Sequence, residues 1–233
     1  IGLDILFIVP LQMGVKGSAW ATVLSQALAA LGAFIYAFIR YKELRFRKED
    51  LKTPFSFIYE HIRLGVPLGF QWSILFIGVV IMSAAVIPFD MIDSSNMVVG
   101  NPAQVGYGVA NKLSGILMGF FSAVGTALLS FISQNKGAKE YDRIRKGFAF
   151  SFRLSIVLSL FCTAIGFLLT INGAYQYIFL SKESISAASI KYGNSYLYVA
   201  LPFYIPLSFI YIGRNTVQAL EKPLFPFFSG VVE

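Results

Sequence analysis

Long runs without charged residues are the feature that most limits how this sequence can fold. Segments 17–39 and 64–89 contain no Asp, Glu, Lys or Arg. Each exceeds the roughly 20 apolar residues that an α-helix needs to cross a bilayer. Because lipid offers the backbone no hydrogen-bond partners, such runs are expected to be helical. With further mostly apolar runs at about 103–131, 147–180 and 192–218, the sequence predicts an all-α membrane protein, a polytopic transmembrane helical bundle.

The composition supports this class and excludes several others. Only 13% of the residues are charged, whereas soluble domains average about 25%. The net charge of +7 sits in short loops between apolar runs, so it indicates membrane topology and no nucleic-acid partner. The sequence has one cysteine, Cys162, and one histidine, His61, and it lacks catalytic and phosphate-binding motifs. We therefore expect no enzyme, no bound metal and no organic cofactor.

Basic residues mark the loops that are expected to face the cytoplasm, because Lys and Arg near span ends resist translocation. The longest polar break, residues 40–63, carries seven basic residues against four acids. The loop at 134–147 carries five basic residues, whereas each outer segment carries two at most. We predict a multi-pass protein of the plasma membrane in which loops 40–63 and 134–147 are cytoplasmic.

The carboxylate of Asp4 falls at membrane depth, inside an apolar stretch. A charge in lipid costs at least about 2.5–3.5 kcal/mol, and intramembrane carboxylates commonly mark ion pathways. Asp4 is therefore the first candidate for binding a proton or Na⁺. The alternative is that Asp4 pairs with a basic residue or caps a helix end.

Polar residues in the second and third spans suggest a substrate cavity. The candidates are Gln71, Asn111, Lys112 and Ser114. Asn111 and Ser114 lie on one helical stripe with small residues further along, a pattern that fits either a water-filled cavity or close helix packing. Lys112 either lines such a cavity or extends towards the membrane surface. In the fifth span, Pro202 and Pro206 predict a bend.

Several segments, taken in order, resemble the MATE (multidrug and toxic compound extrusion) transporters. GVKGSAWATVLSQ (residues 14–26), preceded by Leu3-Asp4, is similar to their fifth-to-sixth helix segment, and RLGVPLGFQWS (63–73) to the start of their seventh helix. VGYGVANKLSGILMGFFSAVGTALLSFISQNKGAKEYDRIRKG (105–147) resembles their eighth helix and the loop after it. RNTVQALEKPLFPFFSGVVE (214–233) resembles the junction of their tenth and eleventh helices. The resemblance covers nearly the whole chain and rests on the order and spacing of these segments.

The resemblance implies twelve helices in two six-helix lobes, and this chain is expected to be a fragment of that arrangement. Residues 1–39 are then the end of the N-terminal lobe, a partial helix plus one full span. Residues 40–63 are the cytoplasmic loop between the lobes. Residues 64–233 are the C-terminal lobe, with four full spans and the start of a fifth.

The resemblance also implies a cation-coupled multidrug efflux antiporter, which exports cationic or amphipathic compounds by alternating access. Its partners are then the lipid bilayer and small molecules, either drugs or toxic organic cations. Its coupling ion is H⁺ or Na⁺. We expect the protein to be a monomer. The family's first-lobe cation site uses an Asp and a Thr that match Asp4 and Thr22. Members with a second-lobe site carry a Glu where this sequence has Leu75, so coupling is expected to rest on Asp4. A flippase for lipid-linked sugars, of the same superfamily, and a membrane-embedded enzyme are the alternatives.

Overall fold

The computed structural model of the protein describes residues 2–42, 45, 52, 54–94, 101–222 and 224–232. In these ranges the chain is helical apart from short turns, and no β-strand occurs. It forms two compact units, Ile1–Ile58 and Tyr59–Glu233. Five helical segments are long and apolar enough to span a membrane: Gly14–Arg40, Phe55–Asp90, Pro102–Gly137, Tyr141–Gly173 and Ala187–Ala219. The predicted all-α transmembrane bundle is confirmed.

Nine α-helices occur in the described ranges. They are α1 (Gly2–Ile8), α2 (Gly14–Arg40), α3 (Phe55–Ser94), α4 (Pro102–Gly137), α5 (Tyr141–Thr170), α6 (Gln176–Phe179), α7 (Ala187–Ala200), α8 (Tyr204–Ala219) and α9 (Leu224–Val232). Short 3₁₀ turns at Ile171–Gly173, Lys182–Ser184 and Leu201–Phe203 join the later helices.

The helix α3 extends beyond the apolar run that predicted it. It begins at Phe55, before the run starts at Leu64, and it continues past Phe89 to Ser94. The reason is that hydropathy marks only the part of a helix that lies in lipid, whereas the backbone continues into polar sequence. Nine residues of the predicted loop 40–63 lie outside the described residues, and so do residues 95–100.

The helix α4 is the centre of the second unit and packs against α5, α7 and α8. Glycines allow the closest approaches. A Cβ at Gly106 would fall on the Ser189 carbonyl oxygen and lie 3.0 Å from the Gly193 amide nitrogen of α7. Further along α4, Gly125 packs on Asn215 of α8. Such contacts let van der Waals attraction hold helices together where lipid gives no hydrophobic drive.

A buried polar cluster fixes the start of α7 at one end of this bundle. The Gln176 side chain is fully buried. The amide nitrogen of this side chain donates to the Ser189 carbonyl at 2.9 Å, and the amide oxygen accepts from the Ser189 hydroxyl at 2.9 Å. The Ser189 amide in turn donates to the Ser186 hydroxyl at 3.0 Å, which caps α7. Burial raises the pKa of the neighbouring Tyr175 phenol, so this group stays protonated at neutral pH.

A salt bridge marks the opposite end. The Lys136 ammonium lies 2.9 Å from the Glu221 carboxylate, which brings the α4–α5 turn beside the α8–α9 turn. The basic residues Arg214 and Lys222 around the α8–α9 turn predict that it faces the same membrane side as the α4–α5 turn. The structure places them at the same end of the bundle.

Candidate functional site

The helices α1 and α2 of the first unit form a close hairpin that positions the candidate cation site. A Cβ at Gly17 would meet the backbone oxygen of Phe7 at 3.1 Å and its Cβ at 3.2 Å. The Met13 amide donates to the same Phe7 oxygen at 3.0 Å, which closes the turn. Ala21, one helical turn after Gly17, is fully buried. The hairpin therefore allows close backbone contact because Gly17 has no side chain.

The register of this hairpin brings Asp4 and Thr22 to a similar height. The two helices touch where Phe7 of α1 meets Gly17 of α2. Asp4 lies about one helical turn before Phe7, and Ala21 lies about one helical turn after Gly17. Because the helices run in opposite directions, both residues lie on the same side of that contact. Thr22 follows Ala21 directly. The Asp4 side chain is half-buried, and the exposed Thr22 hydroxyl donates to the Ser18 carbonyl of its own helix at 2.9 Å. The Thr22 oxygen thus keeps lone pairs that can accept a hydrogen bond or bind a cation.

The second unit contains an apolar cavity of about 660 Å³ beside the junction of α7 and α8. Its wall consists of aromatic, methionine and aliphatic side chains, without a charged residue: Met82 of α3, Met118 of α4, and Tyr196, Val199, Ala200, Phe203, Tyr204, Pro206, Leu207 and Ile210 of the α7–α8 segment. A volume of this order is typical of sites for drug-sized molecules. Methionines and aromatic rings adapt to ligands of different shape.

A 3₁₀ turn interrupts the span formed by α7 and α8 beside the cavity. Leu201–Phe203 adopts a 3₁₀ turn containing Pro202, and Pro206 lies in the first turn of α8. The Thr163 hydroxyl of α5 donates to the Leu201 carbonyl at 3.1 Å, so it stabilises the turn from the neighbouring helix. The two prolines thus lie at an interruption of the α-helix, and the bend predicted from them stays a prediction.

Two buried hydroxyls lie behind the cavity wall. Ser114 and Tyr204 are each 1% exposed, and their hydroxyls are near enough to interact electrostatically. Neither oxygen has a hydrogen-bond partner among the described residues.

A second polar group joins three helices nearer the other end of the bundle. Gln71 of α3 is 2% exposed. With its amide oriented to satisfy both partners, its oxygen accepts from Nε of Arg214 at 3.1 Å and from Nη1 at 3.2 Å. The Nη2 atom of Arg214 donates to the Ser229 hydroxyl of α9 at 3.2 Å. We call Gln71, Arg214 and Ser229 the arginine clasp.

The structure separates the four predicted cavity residues. Gln71 belongs to the arginine clasp, and Ser114 lies in the packed core. Asn111 is half-buried, while Lys112 is exposed on the other side of α4 and has no hydrogen bond or ion pair within the described part of the chain. None of the four lines the 660 Å³ cavity. Their part in substrate binding stays a prediction.

Sequence reasoning missed the cavity wall and the clasp. The proline pair signalled an interruption of the span, but the apolar lining has the same composition as any lipid-facing surface. Arg214 follows an apolar run near a predicted cytoplasmic loop, which suggests an anchor at the membrane surface. Its position opposite Gln71 depends on how α3 packs on α8, and one sequence does not reveal that packing.

Comparison with known proteins identifies relatives of the chain. The probable multidrug resistance protein YoeA of Bacillus subtilis (strain 168) is 27% identical over 218 residues, which cover 92% of this chain and 44% of that protein. The probable multidrug resistance protein YpnP of the same organism is 29% identical over 140 residues, covering 60% of this chain and 28% of that protein. The chain thus spans less than half the length of these relatives.

Solved structures have the same fold. An outward-facing multidrug resistance MATE family transporter of the MOP superfamily aligns with a TM-score of 0.77 at 17% identity, over 99% of this chain and 49% of that chain. MATE in complex with MaL6 aligns with a TM-score of 0.75 at 18% identity, over 99% of this chain and 50% of that chain. A family model for MatE matches residues 80–232, about two thirds of the sequence. This chain belongs to the MatE family.

Proposed function

We propose that the protein containing this chain is a cation-coupled multidrug efflux antiporter that exports small cationic or amphipathic compounds by alternating access. Membership of the MatE family and the similarity to proteins described as multidrug resistance proteins support a transporter rather than an enzyme. The observation that carries the proposal is the apolar cavity at the α7–α8 junction. It is large enough for a drug-sized molecule and has no charged group that would demand one substrate.

The chemistry of the cavity wall suits amphipathic cations. Tyr196 and Phe203 present aromatic rings, whose faces attract organic cations with about 0.5–2 kcal/mol each. Met82 and Met118 lie on the facing helices, and their flexible side chains can adjust to different shapes. Apolar contact supplies affinity in this arrangement, and the rings favour positive charge without selecting one structure.

Coupling is proposed to rest on Asp4 and Thr22. A carboxylate at membrane depth exchanges its charge by taking up H⁺ or Na⁺, and the Thr22 oxygen can share the bound ion. Neutralising Asp4 weakens its polar contacts in the first unit, which favours the arrangement that releases substrate. Leu75, one turn after Gln71, offers no oxygen ligand, so no comparable site is proposed on that turn of α3.

The same proposal includes the surroundings of the protein. It lies in the plasma membrane as a monomer, with segments 40–63 and 134–147 on the cytoplasmic side. The excess of Lys and Arg in both segments supports that orientation. The bilayer and small organic molecules are its partners, and it needs no cofactor other than the coupling ion.

Export of ethidium by energised cells tests the substrate cavity. The Leu207→Trp substitution places a large ring in the cavity and is expected to reduce export strongly. Leu160→Trp, at a leucine of α5 that is 53% exposed and outside the cavity wall, is the matched control and is expected to keep export. Equal export by the two variants would remove the cavity from the transport route.

Asp4→Asn tests the coupling in the same cells. It keeps the size of the side chain but cannot be charged, so gradient-driven export is expected to be lost while the protein remains in the membrane. Imposing Na⁺ and H⁺ gradients separately on vesicles then identifies the ion. Undiminished export by Asp4→Asn would exclude Asp4 from coupling.

One observation favours a flippase for lipid-linked sugars as the second candidate. Lys112 is exposed within a membrane-spanning helix, and a single ammonium there would attract an anionic substrate such as a lipid diphosphate. Lys112→Gln is expected to leave ethidium export intact if the antiporter proposal holds. Loss of lipid diphosphate translocation in that variant, without ethidium export by the parent protein, would favour the flippase.

A further inference from the structure

A groove between α4 and α5 lies next to the basic α4–α5 turn. Its volume is about 330 Å³ and its wall is almost wholly apolar: Val124, Ala127, Leu128 and Phe131 of α4, with Gly147, Phe150, Ser151 and Leu154 of α5. The ring of Phe131 packs directly on Gly147. Both helices are long and apolar enough to span a membrane, and an apolar groove between two such helices suits an acyl chain.

Basic residues surround the mouth of this groove. Arg143 precedes Gly147 by four residues on α5, and the series Arg143, Gly147, Phe150 and Leu154 has the spacing of one helix face. Lys146 and Arg153 flank Phe150 along one edge. Side chains of a helix lean towards its N-terminus, so these basic groups extend towards the α4–α5 turn.

These cations have no counterion in the described part of the chain. Arg143, Lys146 and Arg153 are exposed and make no ion pair or hydrogen bond there, whereas Lys136 is paired with Glu221. The segment 139–153 contains five basic residues and two acids, Glu140 and Asp142, and neither acid pairs with them. Arg153 lies about 18 Å of helix rise after Tyr141, and an unpaired charge at membrane depth is costly.

We infer that this groove is a binding site for one anionic phospholipid. Its acyl chain lies along the apolar wall between α4 and α5, and its phosphate lies beside Arg143 and Lys146. Arg153 lies about 15 Å of helix rise beyond Arg143 and adds only to the positive potential along the groove. The adjoining apolar and cationic parts select a molecule with both an apolar chain and a negative headgroup. A zwitterionic phospholipid fills the groove equally well, but its ammonium group faces the same cations, so the site prefers anionic headgroups.

The test measures which lipid the intact purified protein retains. The protein is equilibrated with phosphatidylglycerol and phosphatidylcholine of identical acyl chains, and bound lipids are counted by native mass spectrometry. A basic residue near an anionic membrane surface contributes about 1 kcal/mol, which is about fivefold in affinity. Arg143→Gln and Lys146→Gln are each expected to lower the phosphatidylglycerol preference of one site by about fivefold.

Arg145→Gln is the matched control, because Arg145 is exposed on the opposite face of α5. It removes the same charge from the same turn and is expected to leave the preference unchanged. Ser151→Phe fills the groove and is expected to release the lipid while all basic residues remain. An equal loss in Arg145→Gln would reduce the effect to general surface attraction, and unchanged retention in Arg143→Gln, Lys146→Gln or Ser151→Phe would overturn the site.

Discussion

The contact between α4 and α7 predicts that substituting Ala for two glycines of α4, Gly106 and Gly108, changes the stability of the protein in opposite directions. A methyl group at Gly106 would fall on backbone atoms of Ser189 and Gly193, so α7 would have to move by about 1 Å. Overpacking of this kind costs about 1–3 kcal/mol, and the better helix propensity of Ala recovers about 0.5–1 kcal/mol. Because the clash is with backbone atoms, the cost falls near the upper end of its range, and Gly106→Ala is expected to destabilise the protein by about 2 kcal/mol.

Gly108 provides the matched control two residues away. A Cβ at Gly108 would meet nothing within 4 Å in the described part of the chain, so Gly108→Ala gains only the helix propensity of about 0.5–1 kcal/mol. The assay is thermal unfolding of the purified protein in detergent, where Gly106→Ala is expected to unfold several degrees below Gly108→Ala. Equal unfolding temperatures would show that α4 and α7 do not approach as closely as these backbone distances require.

Two polar contacts of α3 give further predictions in the same assay. Asp90→Ala removes the carboxylate that accepts from the amides of Ala103 at 2.6 Å and Gln104 at 3.2 Å. The substitution is expected to lower the free energy of unfolding by about 0.5–2 kcal/mol. An equal loss of stability in Asp142→Ala, an exposed acid at the start of α5, would refute a capping role for Asp90. Arg214→Met leaves the Gln71 oxygen buried and unpaired, which is expected to cost about 1–3 kcal/mol. Adding Gln71→Leu is expected to recover part of that loss, and strictly additive losses would argue against the clasp.

The class of fold and the number of spans could be predicted from the sequence because lipid imposes them. Uncharged runs of sufficient length must be helical, and the proline pair at 202 and 206 removes backbone donors at fixed positions. Helix ends were harder to predict. Asp90 reads as part of an outer loop, yet α3 continues through it, because its carboxylate accepts from the first amides of α4.

The direction in which each side chain points could not be predicted, since it depends on tertiary packing. Asn111, Lys112 and Ser114 lie within one turn of α4, yet one is half-buried, one exposed and one in the core. A helix in lipid can present polar and apolar residues to other helices, so hydropathy does not mark its buried face. The cavity wall at Tyr204 and Leu207 is hidden in the sequence for the same reason.

The contacts of α3 explain how a bundle with a rigid centre can contain an adaptable cavity. Near one end, Asp90 holds the start of α4; near the other, Gln71 holds Arg214. Between them, residues such as Phe76 and Val80 are more than 60% exposed, and Met82 reaches the cavity. Hydrogen bonds are directional, so they fix the two ends of α3. Apolar contacts between helices are not driven by the hydrophobic effect in lipid, so they favour no single geometry between those ends. We therefore expect the end contacts of α3 to set the width of the cavity, and loss of the arginine clasp to change that width before it disrupts the packing of α4 on α5, α7 and α8.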